Sequence, residues 1–163
     1  MMVLKHILVP VDFSECSVAA LQHARNLSEA FGAKLDVIHT YDVPSFVTPN
    51  IVVFAGNLET PLADHADRQA RDQLLEFLRK HGLGDQPNLT ARVVMGPPGP
   101  TILDIAETER PDLLVIGTHG RTGMARVLLG STAEKVLRGA PCPVLAVKAE
   151  PSPSSASSAP SGR

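Results

Sequence analysis

Asp112-Leu113-Leu114-Val115-Ile116-Gly117-Thr118-His119-Gly120 sets four consecutive apolar residues directly before glycine. The run is too short for a buried helix and shows no polar alternation. It predicts a strand covered on both faces, as in a parallel sheet with helical crossovers. A glycine-rich segment, Gly117 to Gly130, follows the strand, and Ser131 to Leu137 has helix spacing.

Working outward, the same alternation recurs. Val3-Leu4 and Ile7-Leu8-Val9, ending at Pro10, read as the first strand, Leu35 to Thr40 as the second, Leu89 to Met95 as the third and Val144 to Val147 as the fifth. Helical spacing appears at Ala20, Leu21, Ala24, Leu27 and Phe31, with Ser14 as N-cap and Gly32 as stop. A longer helix runs from Leu62 to Gly82, and a short one covers Thr101 to Thr108. Tyr41 to about Thr60 reads as a loop containing the apolar patch Ile51 to Phe54, for which packing is the expected role. Five strands alternating with helices predict an α/β fold with strand order 3-2-1-4-5 and helices on both faces. Ligands of such sheets bind beyond the carboxyl ends of the strands where the order reverses. Here that is Pro10 to Ser14 and Gly117 onward.

The chain has 163 residues and a formal charge of 15 − 17 = −2. That balance, with 4% aromatic residues and no tryptophan, speaks against a nucleic-acid partner. No apolar run is long enough to cross a bilayer, and the N-terminus lacks a signal-peptide core, so a cytoplasmic location is expected. The two cysteines, Cys16 and Cys142, suggest neither a disulfide framework nor a zinc site. Cys16 reads as a small buried hydrophobe. The six histidines show no HxxxH or HExxH spacing. A folded domain is expected over 1–148 and a disordered Ser/Pro-rich tail over 149–163, because such a composition buries too little to offset its ordering entropy.

Glycines allow backbone N–H groups to approach an anion, and a helix N-terminus adds unpaired donors and a positive dipole end. Gly117, Gly120 and Gly130 followed by Ser131 and Thr132 therefore suggest a phosphate site, assisted by Arg121 or Arg126. Ser131 with Glu134 equally fits a capping box, and Asp12 with Glu15 fits another. Asp12 also stands where it can accept from a ribose hydroxyl or an adenine amino group. The P-loop, GxGxxG and GxSxG motifs are absent.

Ile7 to Ser14, Asp112 to Gly120, and the pattern Gly117-x2-Gly120-x9-Gly130-Ser131 resemble the universal stress proteins in their ATP-binding subgroup. The resemblance spans about Lys5 to Lys148. It implies a three-layer α/β/α open five-stranded parallel sheet of the Rossmann-like, adenine nucleotide alpha hydrolase-like kind. It implies that Pro10, Val11 and Asp12 contact adenine and ribose, and that Thr40 and Ile116 line the base pocket. Gly117, Gly120, Gly130, Ser131 and Thr132 would hold ribose and phosphates. ATP would carry Mg2+ or Mn2+ on its phosphates. The resemblance also implies a homodimer through Pro143 to Val147. The expected function is a nucleotide-dependent sensor or regulator in the stress response, with an unnamed downstream protein partner. The alternative is a slow ATPase or nucleotidyl-transfer enzyme. No HIGH-like or SGGxDS-like motif and no general base beside the glycine loop favour it, so no catalytic residue is assigned.

Overall fold

The computed structural model describes residues 3–42, 52–55, 58–119 and 129–149. Five strands form one parallel sheet: β1 (His6–Pro10), β2 (Lys34–Tyr41), β5 (Leu89–Met95), β6 (Leu113–Gly117) and β7 (Val144–Val147). Their spatial order is β5-β2-β1-β6-β7, the expected 3-2-1-4-5. The additional strands β3 (Val52–Ala55) and β4 (Leu58–Pro61) pair antiparallel as a separate hairpin. The segment expected to be a loop therefore carries a hairpin. Gly56 and Asn57 separate its strands in sequence, and these are turn-forming residue types.

Successive strand residues point to opposite faces, and each face has its own core. Ile7, Val9, Leu35, Val37 and Val115 pack with α1 (Glu15–Phe31) and α2 (Leu62–Lys80). Leu8, Ile38, Leu114 and Ile116 pack with α3 (Pro98–Glu109) and α4 (Ser131–Gly139). This double coverage is why β6 reads as an unbroken apolar run. Ser14 caps α1 by accepting from the Ser17 amide, and Gly32 closes the helix in the left-handed region at φ 65°. α3 starts three residues before the expected Thr101. Pro98 suits the first helical position, where a missing N–H costs nothing.

Polar pairs fix the far end of the sheet. The Asp112 carboxylate accepts from the backbone amides of Lys5 (2.8 Å) and His6 (2.9 Å), which hold its pKa below the ordinary value. Buried Asp36 accepts from Thr90 Oγ1 (2.8 Å) and Arg92 Nη2 (2.9 Å). Arg92 also reaches Glu109 at 2.6 Å. The cation thus neutralises a carboxylate that would otherwise be costly to bury. Among the described residues, His6, Asp36 and Glu109 are the only group of three side chains able to share a metal ion, and the guanidinium already occupies it. No described helix is long and apolar enough to cross a membrane.

At the end of β6, Gly117 meets the first turn of α1. A Cβ there would lie 2.8 Å from the carbonyl carbon and from the Cβ of Cys16. These are backbone-close contacts that no rotamer change relieves. Gly117→Ala should destabilise the protein by about 1–3 kcal/mol in urea unfolding. An unchanged midpoint would show that α1 does not rest on this glycine.

Candidate functional site

The carboxyl ends of β1, β2 and β6 open into a cavity of about 600 Å3, a volume suited to a small-molecule ligand. It lies at the point where the strand order reverses. Pro10, Val11 and Asp12 form its floor, Thr40 stands at the end of β2, and Ile116 and Gly117 stand at the end of β6. Gly130, Ser131 and Thr132 form the opposite rim at the start of α4. Nine of the eleven residues expected at the site therefore line one space. The other two, Gly120 and Arg121, lie outside the described residues, as does Arg126.

The chain reaches this geometry through local hydrogen bonds. Val11 N donates to Ile38 O at 2.8 Å, and His39 Nδ1 donates to Val11 O at 2.8 Å. The ends of β1 and β2 are thereby tied together. Phe13 then turns the backbone sharply at φ 67°. Its ring packs 4.2 Å from His39 and 5.2 Å from Phe77, contacts that hold a conformation rarely adopted by a bulky residue. After this turn Asp12 Oδ1 accepts from the Ser14 amide (3.1 Å) and from the Ser14 and Ser17 hydroxyls. Ser14, not Asp12, is the cap of α1, so the capping role open to Asp12 in the sequence is not the one it takes. Its carboxylate is oriented beneath the cavity by two hydroxyls.

The rim at α4 does not form the capping box that was one of its two open readings. Gly130 is the N-cap, with extended backbone (φ −70°, ψ 153°), and as a glycine it offers no side-chain cap. Ser131 is the first helical residue, too late to cap it. Gly130 N donates to Thr118 O at 2.7 Å, which places the start of α4 directly above the end of β6. The first turn of a helix carries N–H groups without intrahelical partners, and here residues 130–133 line the cavity, two of them bearing hydroxyls. The arrangement can bind an anionic group.

Several lining residues escaped the sequence reading. Ser17 lies five residues after Asp12, a spacing that matches no standard cap motif. Thr118 is buried, and its hydroxyl meets His119 Nδ1 at 2.9 Å. Tyr41 donates to Asp67 Oδ1 at 3.0 Å, and Asp67 pairs with Arg71 at 2.7 Å. Burial and the Asp67 bond raise the Tyr41 pKa; hydrogen bonds from Arg71 and Tyr41 lower that of Asp67. Ala66, Gln69, Ala70 and Gln73 complete the wall from α2. Their i, i+3, i+4, i+7 spacing was readable as one helix face, but only the alanines stood out as apolar. Cys16 is buried, as expected, and burial raises the thiol pKa of half-buried Cys142.

The sequence model of the universal stress protein family matches residues 4–148. Universal stress protein MJ0531 of Methanocaldococcus jannaschii is 34% identical over 146 residues, spanning 88% of this chain and 82% of the relative. The structure of UspA from Lactobacillus plantarum superposes with a TM-score of 0.69 at 29% identity, covering 88% of this chain and 97% of that one. A universal stress protein solved in complex with cAMP has the same fold, with a TM-score of 0.67 at 23% identity, covering 91% of this chain and 99% of the other. The chain belongs to the universal stress protein family.

The extended backbone at Gly130 is open to any L-residue. Gly130→Val should therefore keep the unfolding free energy within about 1 kcal/mol. It should weaken ATP binding by calorimetry more than about tenfold, or 1.4 kcal/mol. Unchanged affinity would remove Gly130 from the site.

Proposed function

We propose that the cavity of this family member holds ATP and that the protein is a nucleotide-dependent sensor or regulator of the stress response in the cytoplasm. The observation that carries this reading is the uncapped start of α4 above Gly117, facing Asp12 across one cavity. A helix N-terminus with backbone and hydroxyl donors suits phosphates, and it needs no basic surface to do so. In this reading Gly117, Gly120, Gly130, Ser131 and Thr132 hold ribose and phosphates, with Arg121 beside them. Asp12, held by Ser14 and Ser17, accepts from the ribose, while Pro10, Val11, Thr40 and Ile116 enclose the base. The fold-mate bound to cAMP is a nucleotide complex in its own right; the ligand class here is argued from this chain's own cavity.

The donor set around the cavity is mostly neutral, with Asp12 and Asp42 as its carboxylates. Mg2+ or Mn2+ would be held mainly by phosphate oxygens, and would neutralise their charge. A homodimer belongs to the same proposal. β7 is an edge strand, and Leu145 upon it and Leu137 on α4 are exposed. An apolar edge of this kind is a template for pairing with a second copy.

Purified protein, once denatured, should release an adenine nucleotide detectable by mass spectrometry, or bind ATP when titrated. Hydrolysis should stay well below about one turnover per second, the lower end of ordinary enzyme rates. Neither released nor titrated nucleotide would end this reading. Turnover of many per second would instead favour an ATPase or nucleotidyl-transfer enzyme on the same fold.

A further inference from the structure

We infer that Gln69 and Gln73 on α2 read the edge of the bound base and select adenine over guanine. The inference rests on the nucleotide reading above and adds the residues that set its specificity. The strand order separates the two ends of the cavity. Gly117 and the start of α4 stand on the β6 side, where backbone donors favour phosphate. Across β1 lie β2 and the α2 wall, the remaining place for a base. Along that wall Ala66 and Ala70 leave room, and Gln69 and Gln73 supply the only side-chain amides among the described residues lining the cavity. Both glutamines are exposed, so a ligand can reach them.

Their position is fixed locally. The Tyr41 hydroxyl bond to Asp67 pins α2 against the end of β2, and Gln69 follows two residues later. A glutamine amide presents a carbonyl acceptor and an NH2 donor group side by side in one plane. Adenine presents an amino donor and the N7 acceptor side by side, which one glutamine can satisfy together. Guanine presents two acceptors, O6 and N7, along the same edge, so the amide oxygen there would face another acceptor. The wall thus favours adenine without any charged group.

The test compares ATP, GTP and 7-deaza-ATP binding by calorimetry to wild-type protein and to a Gln69→Ala, Gln73→Ala double variant. Alanine favours helix, and both positions are exposed, so α2 should persist; equal thermal midpoints check this. Wild-type protein should prefer ATP. The double variant should lose about tenfold or more in ATP affinity, the scale of one bidentate pair, while GTP changes less than about twofold. Wild-type protein should also bind 7-deaza-ATP more weakly than ATP. ATP and GTP affinities that stay unchanged in the variant, or fall together, would overturn the inference while leaving nucleotide binding intact. Wild-type protein that binds neither ATP nor GTP would overturn the nucleotide reading itself.

Discussion

The first turn of α1 lies so close to the end of β6 that residue 117 has no room for a side chain. This contact brings three things together. It sets the height of α1 over the sheet, and so the position of Ser14 and Ser17 beneath the cavity. It leaves the end of β6 free of side chain where the strand order reverses. It also lets the chain return from Leu129 to begin α4 directly above, through the Gly130 bond to Thr118. A bulkier residue at 117 would lift α1 and displace the hydroxyls that orient Asp12. Two glycines of one sequence pattern therefore act differently. Gly117 answers to packing within the protein, whereas Gly130, with unstrained extended backbone, is free to answer to a ligand.

The two ends of the sheet divide stability and recognition between them. At the amino ends of β1 and β2, charges are satisfied internally: Asp36 by Arg92 and Thr90, and Asp112 by two backbone amides. At the carboxyl ends, the start of α4 is left without a side-chain cap. A serine or asparagine at position 130 would cap that helix, a change worth about a few tenths of a kcal/mol over glycine. Leaving the end bare has a physical use if an anion completes it.

Much of this was legible in the residues. The apolar runs of β1 and β6 gave the parallel sheet, because strands covered twice carry no polar alternation. Ser14 and Gly32 marked the limits of α1 through their own conformational preferences. Pro10 to Ser14 and Gly117 onward followed from topology, since the reversal point of an open sheet is fixed once the order is known, whereas Thr40 and Ile116 came from the family resemblance. What stayed hidden depends on tertiary contact. No local pattern announces that Gly117 is crowded by Cys16, or that Phe13 is held in a left-handed turn by His39 and Phe77. The α2 wall was hidden for a different reason. Glutamines at the margin of an amphipathic stripe look like solvent-facing residues until the cavity beside them is seen. Ser131 misled in the opposite direction, because a capping box depends on where the helix begins, and it begins one residue earlier than that motif requires.

The central claim is that one end of the sheet holds a nucleotide with its phosphates on the start of α4 and its sugar near Asp12. Amide chemical-shift mapping during ATP titration of isotopically labelled protein tests it most directly. The account predicts the largest shifts at residues 130–133, 11, 12 and 40, with little change around His6, Asp36 and Glu109. Shifts concentrated at that opposite end, or a spectrum unmoved by saturating ATP, would contradict it.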